Sequence, residues 1–449
     1  MLLCRRSLGC HFSFSLISPR STSCRIFEAT FHHHNETHSF IHSCHSFHLS
    51  THAWGSMGTT KCLLLASLAK YSIVAAMTTT PNQPHIMCVG LATIDFVATV
   101  DHFPEPDEKM RSSSLIIEGG GNAANTACAM GRLSQFVDVT LVTGVGDDAN
   151  GAQIVSSIQS DNVQVLAEKY PGNSPFSYII NTNVNGENTR TSIHQPASGD
   201  MSLKFVENVS LDDIAAVHFD SRYPTAAVAL ARRCVDLGIP YSVDVERPRE
   251  GLLELLQGAT VVICNSNYCN TILGQPSTIN KDEIDFRTSA HRLRSVMLEQ
   301  APNALIAVVT LGSKGSCLIN LKDELRTEDQ TSITSTSVDE MNGPTVSIQS
   351  NCLYCTAFPN VDVVDSTGAG DAFIGGFLTT LWVSAFSHQK RDKSIGRLRP
   401  TTSLQALATA LRVASRVASR KLQQPGTRRG LPTSEDDIFI SSELKRITG

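Results

Sequence analysis

The stretch Val363-Val364-Asp365-Ser366-Thr367-Gly368-Ala369-Gly370-Asp371-Ala372-Phe373 decides the fold. Two β-branched residues run into an aspartate, then a small, glycine-bearing turn, then Asp371. After it, Phe373, Ile374, Phe377 and Leu378 recur at helical spacing. The pattern predicts a strand feeding a tight turn that opens a helix. With no side chains at Gly368 and Gly370, main-chain N–H groups crowd together at the positive end of that helix and face an anion. A phosphate is the natural guest. A carboxylate repels phosphate, so Asp371 beside such a site reads as a base that takes a proton from an attacking hydroxyl.

Around this stretch lies a chain of 449 residues, 41% hydrophobic and 18% charged, ample for one large globular core with appendages. The net charge of −5 offers nucleic acid no general attraction. Cys62 to Ala69 is too short to span a bilayer, and no membrane partner is expected. Thirteen scattered cysteines suit reduced thiols rather than a disulfide framework. Cys352 and Cys355 form a Cys-x-x-Cys without the second pair of a zinc ribbon.

Residues 1–84 read as an N-terminal extension for targeting, or as disordered. The first 52 hold nine of the fifteen histidines and four arginines but only Glu28 and Glu36 as acids, as in organelle transit peptides. If residues 1–76 are such a peptide, the compartment is a plastid or mitochondrion; a start at Met77 gives a cytoplasmic protein. From Ile86 to Leu91 a buried strand begins the folded part, with Asp95 just past it, where open α/β sheets bind ligands. Glu118-Gly119-Gly120-Gly121 opens a helix through Asn125, a turn that allows close approach to the backbone beside an amide that both donates and accepts. Residues 175–181 and 190–194 read as a hairpin. Beyond Ala215, strands and helices alternate, as parallel βαβ units require. Residues 328–350 read as an inserted surface loop. Arg412, Arg416 and Arg420 share a helix face that reads as solvated. No GxxxxGK[ST] occurs, which excludes a P-loop as the phosphate site.

The segment from Asp365 to Asp371 resembles the DTxGAGD signature of the ribokinase/PfkB family of carbohydrate kinases, with Ser366 where the family often has Thr. The resemblance covers residues 85–435, leaving 436–449 as a tail, and has ketohexokinase-like and plant plastid PfkB-like features. It implies an α/β, ribokinase-like three-layer fold: a mostly parallel central sheet flanked by helices, with a small β-sheet lid from about 96–118 and 175–194. It further implies catalytic roles for Asp371, Gly368, Ala369 and Gly370, substrate contacts from Asp95, Gly120, Gly121 and Asn125, and nucleotide contacts from Asn265, Thr310 and Gly312. Asp365 is implied at a monovalent-cation site, and residues 424–432 near the adenine and the cation loop. The expected cofactors are ATP, Mg2+ and K+, and the expected partners a small sugar or polyol, ATP and a second copy through the lid. The activity implied is transfer of the γ-phosphate to a hydroxyl; a nucleoside kinase or a non-catalytic assembly protein of the same fold are the alternatives. Tyr268 stands where the family has the Glu of its NxxE motif, which leaves the acid that tunes magnesium dependence unassigned.

Overall fold

The computed structural model describes residues 11–17, 26–33, 36–43, 83–184, 187–274, 286–323, 325, 343–391, 398–401 and 403–448. It divides into two units, Met1–Thr80 and Pro81–Gly449. In the first, β1 (His11–Ile17), β2 (Ile26–His33) and β3 (Glu36–Ser43) form an antiparallel sheet in chain order. The rest of the expected targeting segment lies outside the described residues.

The second unit opens with β4 (His85–Val89), β5 (Thr93–Val100), β6 (Ser114–Gly120), α1 (Asn122–Gly131), β7 (Asp138–Gly146), α2 (Ala149–Gln159), β8 (Val163–Tyr170), β9 (Phe176–Val184) and β10 (Glu187–Gln195). Next come α3 (Leu203–Glu207), β11 (Ala216–Phe219), α4 (Pro224–Leu237), β12 (Tyr241–Val245), α5 (Leu252–Gln257), β13 (Val261–Asn265), α6 (Ser266–Ile272), α7 (Phe286–Gln300), β14 (Ile306–Thr310) and β15 (Ser316–Asn320). The chain closes with β16 (Val346–Gln349), β17 (Cys352–Cys355), α8 (Ala369–Arg391), α9 (Leu404–Leu422) and α10 (Ile438–Thr448).

The large sheet runs β16-β17-β15-β14-β13-β12-β11-β4-β7-β8. Every neighbouring pair from β14 to β8 is parallel, and β15, β17 and β16 add antiparallel pairs at one edge. Two apolar clusters cover its faces, one with α1, α8 and α9, the other with α4, α5 and α7. Covered on both sides, strands such as β11 and β12 are buried throughout, which is why their sequences read as nearly continuous apolar runs. A second sheet, β10-β9-β5-β6, matches the expected lid.

Four expectations are corrected. Val363 and Val364 form no strand; they are exposed, and the Val364 N–H donates to the Leu422 carbonyl at 2.8 Å. Within the expected loop 328–350, Val346–Gln349 is an edge strand, the rest lying outside the described residues up to 342. The expected tail forms α10, which buries Ile440 and Leu444 in the core. Its approach also uses the arginine face of α9: Arg416 Nε meets Asp437 Oδ2 at 2.7 Å, Arg420 Nε meets the same oxygen at 3.6 Å, and Arg412 Nη2 lies 4.0 Å from Glu443. That face is therefore packed rather than solvated.

By length and hydropathy α8 could cross a bilayer, which the sequence reading did not find, but 72% of that span is buried within the unit. Gly375 and Gly376 set its packing. A Cβ at Gly375 would stand 2.6 Å from the Ala129 Cβ of α1, and one at Gly376 would stand 2.9 Å from Val417 of α9. Gly375→Val should therefore lower the unfolding free energy by about 1–3 kcal/mol through overpacking. Gly370→Ala, whose Cβ meets nothing within 4 Å, should leave it unchanged or raise it by up to about 1 kcal/mol. Urea denaturation of the two variants checks the contrast.

Candidate active site

The strand ends bring the site together. Asp220 follows β11, Asp244 lies in β12, Asn265 ends β13 and Thr310 ends β14, all at the carboxyl edge of the parallel strands. The order of the sheet reverses between β4 and β11, the switch point where such sheets hold ligands. There Asp220 stitches the two directions: one oxygen accepts from Leu91 N–H at 2.8 Å and Ala123 N–H at 3.1 Å, the other from Arg222 N–H at 3.0 Å. A Cβ at Gly90, with φ +153°, would lie 2.0 Å from the Asp220 carboxylate, so only glycine allows this approach.

Asp371 projects from the first turn of α8. Gly368 takes φ +74° just before it, and Ala369 N–H bonds back to the Ser366 carbonyl at 3.2 Å, which makes the turn tight. Asn125 Nδ2 donates to Asp371 Oδ2 at 2.8 Å, and its Oδ1 accepts from Arg428 Nε at 2.9 Å. The amide that the sequence reading assigns to substrate is thus used, in this structure, to position Asp371. Burial pushes the Asp371 carboxyl up to about 7; the Asn125 hydrogen bond and Arg428 oppose this, and Asp220 and Glu246 add to it. Asp244 is raised well above the usual range by burial, Asp371 and Asp220.

Asp95 sits on the lid side, 7% exposed. Burial raises its pKa, opposed by hydrogen bonds from Ser177 and Thr93 and by the charges of Arg428 and Arg190. Ser177 Oγ in turn lies 3.0 Å from His194 Nδ1, so Asp95, Ser177 and His194 form one row across β5, β9 and β10. Gly120 packs on this carboxylate, a Cβ there standing 2.4 Å from Asp95 Oδ2. Gly121, with φ +91°, packs on the Leu91 carbonyl.

The residues expected to contact nucleotide cluster less tightly. Asn265 caps α6, accepting from Tyr268 N–H at 2.8 Å and donating to the Glu246 carbonyl at 3.1 Å. Tyr268 is buried, its hydroxyl on Gln300. Glu246, just after β12, is one of the acids whose charge acts on Asp371, together with Asp220. Thr310 pairs with Asn265 across β13 and β14, and Gly312, with φ +59°, faces open space. Asp365 holds the turn to the loop after α9: Oδ1 accepts from the Thr367 N–H and hydroxyl at 2.8 and 2.7 Å, and Oδ2 from Gly426 N–H at 2.8 Å. Burial raises its pKa, but these donors and Lys421 more than offset that and leave it lowered.

Sequence reasoning missed Arg428, Arg190, Asp220 and the role of Asn125. Arg428 binds Asn125 and the Gly120 carbonyl, while Arg190 reaches from the lid to the Thr367 hydroxyl. The signal for Arg428 lay in residues 424–432, a Pro- and Gly-containing segment with two adjacent arginines. Arg190 stood in a strand that looked like ordinary lid.

With this geometry, residues 83–434 match the pfkB family carbohydrate kinase domain. Mouse ketohexokinase is 25% identical over 310 residues, covering 67% of this chain and 90% of the relative. An ATP-dependent ribose-1-phosphate kinase from Halopiger xanaduensis is 26% identical over 304 residues, covering 67% of this chain and 85% of the relative. Among solved structures, ribokinase from Giardia lamblia superposes with a TM-score of 0.62 at 18% identity, over 81% of this chain and 99% of that one. Arabidopsis thaliana ribokinase complexed with ribose and ATP gives 0.56 at 18% identity, over 81% and 99%. The chain belongs to the pfkB family of carbohydrate kinases, phosphotransferases that use an alcohol group as acceptor.

Proposed function

We propose that the protein transfers the γ-phosphate of ATP to a hydroxyl of a small sugar or polyol, with Asp371 as the base. The observation that carries this reading is the Asp371 carboxylate, raised to about 7 and fixed by Asn125 in the first turn of the helix that follows the Gly368–Gly370 turn. A base is most useful when its pKa lies near the working pH. Asp95 accepts from sugar hydroxyls; Asn265, Thr310 and Gly312 border the nucleotide. The Gly368, Ala369 and Gly370 amides hold the transferred group as its charge redistributes.

Magnesium fits as an ion carried in with the nucleotide. Among the described residues no three His, Cys, Asp or Glu converge to hold a metal by themselves. Asp244, raised by burial and then by the charges of Asp371, Asp220 and Glu246, and Glu246 itself are the side chains that would face it. Bound there, magnesium would neutralise the phosphate oxygens during transfer.

The test is phosphoryl transfer from ATP across a panel of sugars, sugar phosphates and nucleosides. Asp371→Asn should lower turnover about 10²–10⁴-fold on the accepted substrate. It should also stabilise the fold above about pH 7. A carboxyl whose folded pKa exceeds its unfolded value costs the fold stability as pH rises from the unfolded value to the folded one, and the loss is complete above the folded pKa. The amide has no such dependence. Near-full turnover in Asp371→Asn, measured beside melting temperatures at two pH values, would remove Asp371 as the base.

We also propose that two copies associate through the lid. Ile117, Phe96, Tyr178 and Ile193 stand in one row across β6, β5, β9 and β10, and Ile117, Tyr178 and Ile193 are exposed. Leu115, 60% exposed, continues the face. An exposed apolar patch of this kind suits self-association. Tyr178→Lys with Ile193→Lys should shift sedimentation from dimer to monomer; an unchanged profile would rule out the lid as the interface.

A further inference from the structure

The monovalent cation implied at Asp365 meets an occupied position. Lys421, in the last turn of α9, is 0% exposed, and its Nζ donates to the Asp365 main-chain carbonyl at 2.8 Å and approaches the Gln424 carbonyl at 3.5 Å. Every other oxygen of Asp365 is also engaged, Oδ1 by Thr367 and Oδ2 by Gly426 N–H. A metal ion of this kind needs several oxygens turned toward it, and here those oxygens already accept hydrogen bonds. It would also have to sit against an ammonium of like charge.

The buried ammonium has acidic neighbours, although burial outweighs them and leaves its pKa lowered. Its position in the last turn of α9 is the end of a helix that favours a cation. Burial disfavours its charge, while Asp365 and Glu118 favour it and Arg190 opposes it. Glu118 comes from β6, where its Oε1 accepts from Thr427 N–H at 2.6 Å. The Val364 and Asp365 N–H groups both donate to the Leu422 carbonyl, at 2.8 and 3.1 Å. Lys421 and its neighbour thus clamp the entry to the anion-binding turn from below, one residue before Ser366.

We propose that Lys421 is the built-in cation of this turn: its ammonium takes the position that a potassium ion would otherwise fill, so nucleotide binding and turnover are independent of added K+. The inference rests on the kinase reading for its consequence in turnover. In structure it requires only the Asp365–Lys421 geometry. Lys421 acts here as a positioning residue, holding the Asp365 carbonyl and placing a full positive charge behind amides that otherwise present only the partial charge of a helix end.

The full chain is compared in potassium chloride and in tetramethylammonium chloride at equal ionic strength, a pair that differs in whether the cation can enter a small oxygen-lined site. Three quantities are read: the melting temperature without nucleotide, the ADP dissociation constant by calorimetry, and phosphoryl transfer. For the wild-type chain all three should agree between the salts, the ADP constant within about twofold. For Lys421→Met, ADP affinity should fall about tenfold or more in tetramethylammonium and recover in part in potassium but not in sodium, because the vacated space then admits the ion. A purely structural lysine would show no such ion-specific recovery.

A K+-specific rise in the wild-type melting temperature, or a tenfold gain in its ADP affinity with potassium, would overturn the proposal. So would Lys421→Met binding ADP as the wild-type chain does in both salts. If that variant does not fold, the wild-type comparison still decides. Melting and ADP binding need no acceptor, so a wrong assignment of the sugar would leave these outcomes as they are.

Discussion

Asp371 is a half-buried carboxylate beside Asp220, Asp244 and Glu246, and much of the site is arranged around that electrostatic strain. Desolvation and like charge both favour its protonated form. One amide and one guanidinium act against them: Arg428 donates to Asn125, and Asn125 donates to Asp371. The balance leaves a group near neutrality in pKa, poised between holding and accepting a proton. The position also depends on packing, because Gly375 brings α8 close enough to α1 for Asn125 to reach across.

The same contacts tie the lid sheet and Asp95 to the turn before α8. Arg428 binds the Gly120 carbonyl next to Asp95, and its charge acts on both Asp95 and Asp371. Glu118 at the lid receives Thr427 N–H, and Arg190 of the lid reaches Thr367 in the anion turn. A change at the lid is therefore felt at the turn through two short paths of hydrogen bonds. Water exclusion by such a lid is what keeps a kinase from hydrolysing its nucleotide.

Much of this was legible in the sequence where a residue's chemistry is local. The glycines at 120, 121 and 368 signal turns because only a missing side chain permits those approaches, and Asp371 stands out because an acid beside an anion turn needs a reason. The alternation after Ala215 was equally plain, and α4, β12 and β13 fall where periodicity puts them. What escaped reading depends on partners far away in the chain. Asn125 finds Asp371 across 246 residues and Arg428 finds Asn125 across 303, and no spacing rule carries such pairings. Val363 and Val364 misled because β-branched residues suggest strand, whereas here they pair with no strand among the described residues and the Val364 N–H donates to the Leu422 carbonyl. The arginine face of α9 misled for a related reason: its acidic partners lie in residues 437–443, beyond the stretch that the family pattern describes.

On the proposed chemistry, one half-buried carboxylate with a pKa near 7 takes the proton from the acceptor hydroxyl. The most direct measurement is kcat/KM for the accepted substrate against pH, which reports groups of the free enzyme. It should rise with pH along an acid limb whose midpoint lies at about 7. Asn125→Ala should move that limb upward, because the hydrogen bond it removes favours the ionised form. A profile flat from about pH 5 to 8, or a limb unmoved in Asn125→Ala, would contradict the assignment of Asp371 as the base.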